Sequence, residues 1–163
     1  MIGMPKPAFW RIVFVAVALL LCSTLARPSQ GQQPPQRQQE KTPQLTEPDA
    51  LHVMQNLGDG LESHNERAFL AVFDPQTMSD YPLLRDQVHG FFQEYESFQV
   101  SYQLQQVAME GVNGVALFDF TLDARPAGGE LPDVRSTVQL RLVLAWNGKE
   151  WKIVGLSPRE VFA

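Results

Sequence analysis

The residue best equipped for chemistry in this chain is Asp119, a carboxylate set between Phe118 and Phe120. Apolar surroundings disfavour its charged form and would raise its pKa toward the range useful for proton transfer. Tyr102 or Tyr95 could supply a hydroxyl donor beside such a base, which together would serve a small lyase or isomerase. Strand alternation argues the other way, because it turns Asp119 to the face opposite Phe118 and Phe120. There it would meet Gln139 or Arg141 across a hairpin, as a polar or charged pair. A β-bulge would reverse its facing.

The three histidines offer little more. His52 falls with Gln55, Asn56, Asp59 and Glu62 on the polar side of one helical pattern, and His89 with Arg85, Gln93 and Glu96 on that of another. His64 sits at a helix end, where the last carbonyls and the dipole give it a structural role. No pair has the spacing His-x-x-His or His-Glu-x-x-His, so no metal site is expected. No glycine-rich phosphate loop, P-loop or nucleophile elbow appears either, and no cofactor is expected.

The single cysteine, Cys22, closes an apolar run over residues 12–21 that follows Lys6 and Arg11. The run is too short for a comfortable membrane span of about 20 residues. Thr24-Leu25-Ala26 then places small residues where a signal peptidase reads, predicting cleavage after Ala26 and export to the periplasm or medium. Two other fates stay open: an uncleaved anchor, or lipidation at Cys22, although Leu21 departs from the small residue such processing wants. Cleavage removes the only thiol, and with it disulfides, thiol nucleophiles and thiolate metal sites. The exported domain must then be held by its core, with no membrane span left.

Residues 27–47 are rich in glutamine and proline, with Leu45 the one large apolar side chain. Such a stretch cannot bury enough surface to offset the entropy of ordering, so it reads as a disordered linker. From Pro48 onward there are eight Lys/Arg against sixteen Asp/Glu, 8 − 16 = −8. With no basic cluster to relieve that charge, nucleic acid is excluded as a partner.

Residues 48–163 carry the elements that would position these groups. Thr46 caps a helix with Pro48 and Asp49 in its first turn. Ala50, Met54, Leu57 and Leu61 recur along it at helical spacing. Gly58 and Gly60 weaken that helix and point to a close backbone contact or an early fray. Asn65 caps a short second helix, and a third, 81–96, buries Leu84, Val88, Phe91 and Tyr95. Four strands follow, at 98–109, 115–124, 134–146 and 149–156, with Asn113-Gly114 and Asn147-Gly148 as hairpin turns. Three helices followed by a four-stranded antiparallel meander predict an α+β fold, with the helices on one face of a curved sheet.

This order resembles the nuclear transport factor 2-like superfamily, the cone-shaped fold shared by ketosteroid isomerase, scytalone dehydratase and polyketide cyclases. The similarity rests on Asn65 to Leu70, Phe73-Asp74-Pro75, Trp151 to Val154 and Leu156 to Phe162. It implies a pocket between the helices and the concave sheet face, lined in catalytic members by Asp, His or Tyr. The inward faces predicted here are apolar: Tyr102 on the first strand, Phe118 and Phe120 on the second, Leu140 and Leu142 on the third. Leu57, Leu61, Phe91 and Tyr95 from the helices and Trp151 from the last strand complete that lining. The expectation is therefore an exported, non-catalytic binding or assembly module. It would take a small apolar ligand in its pocket or form a homodimer through the outer sheet face. The alternative is the lyase or isomerase with Asp119 as base.

Overall fold

The computed structural model describes residues 42–128 and 132–162. The expected signal segment 1–26, Cys22 and the expected linker as far as residue 41 lie outside the described residues. The first helix, α1 (Glu47–Glu62), begins as its sequence predicts: Thr46 and Asp49 cap one another's backbone N–H groups in a capping box. Met54, Leu57 and Leu61 form its fully buried face. A methyl group on Gly60 would lie 2.6 Å from the backbone nitrogen of Phe69, so this glycine is a close backbone contact rather than a fray. Asn65 accepts the Ala68 N–H at 3.0 Å to start α2 (Glu66–Leu70). The third helix, α3 (Tyr81–Glu94), buries Leu84, Val88, Phe91 and Phe92.

The strands β1 (Tyr95–Glu110), β2 (Asn113–Pro126), β3 (Val134–Trp146) and β4 (Trp151–Ser157) form one antiparallel sheet in chain order. Register shifts at Leu104/Gln106 and Val143/Leu144 mark bulges, which add twist and bend the sheet around the helices. This is the predicted α+β architecture. A 3-10 turn, Glu160–Phe162, follows β4 and carries two buried apolar side chains.

Three local expectations are corrected. The β1–β2 turn falls at Gly111-Val112, where Gly111 takes φ +66°, while Asn113 and Gly114 already pair within the sheet. Gly114 is glycine for another reason: a methyl there would lie 2.5 Å from Leu45 Cδ2. Leu45 itself is buried and its N–H donates to Met109 Sδ at 3.3 Å, so the ordered domain begins before Pro48. The β3–β4 loop spans four residues, because Trp146 pairs with Trp151 and Asn147 Oδ1 accepts from both the Lys149 and Glu150 N–H groups.

The free edge of β4 is occupied. Ile153 N–H donates to the Val72 carbonyl and Asp74 N–H to the Ile153 carbonyl, both at 2.9 Å, placing Phe73 beside Ile153 in a parallel bridge. On β1 the Val100 N–H donates to Glu62 Oε1 at 2.9 Å. Among the described residues no helix is long and apolar enough to cross a membrane.

Candidate functional site

The inner sheet face and the helices converge where the sequence placed a pocket. Leu57, Leu61, Phe118, Phe120, Leu140 and Leu142 are 0 % exposed. Residues lining even a water-sized cavity would keep some accessible surface, so these six form packed core rather than pocket wall. Phe91 is buried with them, Tyr95 and Tyr102 pack half-buried against the cluster, and Trp151 is buried at its end. The expectation of an open apolar pocket is corrected for a specific reason. Phe162 fills the space, with its ring 5.3 Å from Phe69, 5.9 Å from Phe120 and 6.2 Å from Phe91. Arg159, ion-paired with Asp80 at the start of α3, fastens the turn that carries it. The apolar pair Val161-Phe162 just beyond a proline was the available signal for this insertion.

Asp119 lies on the outer face. It stands opposite Gln103 and Gln139, and Gln105 Nε2 donates to its Oδ2 at 2.7 Å. The β1 bulge brings Gln105 into reach; it does not invert Asp119. Tyr102 pairs with Phe120, so the proposed base and its donor occupy opposite faces. Burial pushes the Tyr102 hydroxyl above its ordinary value of 10.0, with the carboxylates of Asp59 and Glu62 adding to it. Burial, then Glu94, raises Tyr95 in the same direction. Among the described residues no buried residue is polar or charged, and no three His, Cys, Asp or Glu side chains cluster as metal ligands would.

The histidines have structural partners. His64, at φ +50°, stacks on Phe98 with centroids 5.7 Å apart, and its Nε2–H donates to the Tyr95 carbonyl at 2.8 Å. His89 Nδ1 lies 3.0 Å from Glu66 Oε2, tying α3 to α2. His52 meets Asn56 one turn along α1 at 3.3 Å.

The outer face divides into two halves. One is polar, with Asp119 and Gln105, the Thr121–Thr137 hydroxyl pair at 3.1 Å, and Asp123 near Arg135. The other, toward the β1–β2 turn, sets Val115 against Val143, with Leu117 and Ala108 alongside. Arg141 reaches Glu110 at 2.7 Å, joining β3 to β1 across β2 beside these residues. Val115 is buried yet stands outside the central core cluster, which places it in a separate apolar strip.

Helices on one face of a bent antiparallel meander define the nuclear transport factor 2-like fold, and solved structures share it. A nuclear transport factor 2-like superfamily protein from Salmonella enterica superposes with TM-score 0.57 at 14% identity, over 67% of this chain and 86% of that one. A candidate scytalone dehydratase from Novosphingobium aromaticivorans gives 0.58 at 10% identity, over 67% and 79%. The beta subunit of benzoate 1,2-dioxygenase from Burkholderia mallei gives 0.52 at 12%, over 70% and 89%. Identities this low speak for the fold alone. No family model matches the sequence, and no curated protein does.

Proposed function

We propose that this chain is an exported, non-catalytic assembly module whose working surface is the outer sheet face, docked against a second copy. Export is read from the charged, apolar and small-residue order of residues 1–26. The observation that carries the assembly reading is the pair Leu117 and Val143, half-buried apolar side chains on a face that the core does not use, with the buried Val115 beneath them. Apolar strips rimmed by polar pairs suit isologous contact between identical sheets. A small apolar ligand could enter the cone only by displacing Phe162, which makes the interior the weaker site. Sedimentation equilibrium tests this. The domain should dimerise, and Leu117→Glu with Val143→Glu should return it to monomer with its circular dichroism intact. A wild-type domain that stays monomeric at high concentration overturns the reading.

A further inference from the structure

A recess of about 310 Å³ lies between the first turns of α1 and the β3–β4 loop. That volume is at the small end of ligand sites, roughly 300–1,000 Å³. Its aromatic side is the Trp146–Trp151 pair, set edge to face with centroids 5.8 Å apart and planes at 65°. Trp151 is buried and Trp146 half-buried. Among the described residues neither indole N–H has a protein acceptor, and neither nitrogen is a buried unsatisfied atom. The half-buried Trp146 is the indole a visitor would meet, with the buried Trp151 set against it.

The rim is polar and already held in place. Asp49 is fixed by the capping box, and His52 and Asn56 orient one another on the exposed side of α1. Lys152 Nζ donates to the Ala71 carbonyl at 2.7 Å and lies 3.2 Å from Glu150. Lys149 has no ion pair among the described residues. Side chains restrained before a ligand arrives lose less freedom on binding.

Charge then selects the ligand. Two carboxylates, Asp49 and Glu150, and two ammonium groups, Lys149 and Lys152, line the recess, so its formal charges balance. An anion would meet the carboxylates and a cation the lysines, while a wholly apolar ligand would strand the rim's donors and acceptors. What fits is a neutral molecule with an apolar face for the indoles and hydroxyl groups that both donate and accept. We propose that this recess binds a neutral sugar ring, seated on Trp146, which Trp151 backs, and hydrogen-bonded by Asn56 and Lys149. The site is separate from the outer sheet strip and does not depend on dimerisation.

The indole N–H signals of Trp146 and Trp151 in nitrogen-labelled full-length protein report on the site directly. Titration with cellobiose or methyl β-glucopyranoside should shift both signals saturably, and benzoate, an anionic ring, should not. Asn56→Ala and Lys149→Ala alter exposed positions and should each weaken binding about tenfold, a factor readable from the titration curve, with the thermal midpoint unchanged. Absence of a saturable shift with either sugar overturns the proposal. So does a shift with benzoate in their place, or a sugar response that neither substitution alters.

Discussion

Phe162 packs edge to face on Phe69, with ring centroids 5.3 Å apart and planes at 67°. The last described residue is thereby tied to the short second helix, and the cone is closed from within. Phe162→Ala should leave a cavity among Phe69, Phe91 and Phe120 and cost about 3–5 kcal/mol. Urea unfolding followed by circular dichroism measures it. A loss below about 1 kcal/mol would show that the turn rests on the core without being part of it.

Two helical glycines make a paired prediction. At Gly60 a methyl group meets the Phe69 backbone, which no rotamer change can move aside, so Gly60→Ala should destabilise by about 1–3 kcal/mol. At Gly90, inside α3, a methyl group meets nothing within 4 Å, so Gly90→Ala should stabilise by about 0.4–1 kcal/mol. Equal effects in denaturant melts would contradict the close α1–α2 approach.

Asp119→Asn should leave stability within about 0.5 kcal/mol of wild type, because the side chain is exposed and its Gln105 contact can be kept. A large change would mean that the carboxylate does something its outward position does not explain.

Asp74 organises the segment that covers β4. The Thr77 hydroxyl donates to it at 2.7 Å and the Gln76 N–H at 2.9 Å, and these bonds hold its pKa below the ordinary value of 3.8. A lowered folded pKa contributes stability that is complete above the unfolded value and is lost as pH falls through the folded one. Asp74→Ala should therefore lower the thermal midpoint near neutrality and flatten its fall between about pH 5 and about pH 2. Unchanged acid sensitivity in the variant would assign that fall to other carboxylates.

Much of the fold was legible because its signals are local. Thr46 and Asp49 lie three residues apart, Asn65 sits just ahead of its helix, and the alternation of Phe118, Asp119 and Phe120 settles facing without tertiary information. What escaped depended on distant partners. Gly114 reads as a turn glycine until Leu45 is seen lying over it. Leu45 reads as linker until Met109 and the β1–β2 hairpin receive it. The inward-facing strand residues were identified correctly as apolar and inward. Whether they enclose space or fill it was decided by Phe162, which joins them from the far end of the chain.

The segment bonded along β4 has a consequence for how copies of this chain can meet. A fibril built by strand addition needs two free flanks on every molecule, one to receive and one to offer. With Val72 and Asp74 already bonded to Ile153, the β4 flank offers nothing at that point. On the opposite edge strand, β1, the Val100 N–H is likewise taken up, by Glu62 Oε1. Strand addition is thereby hindered at one point on each edge strand, where a bare edge would be open along its whole length.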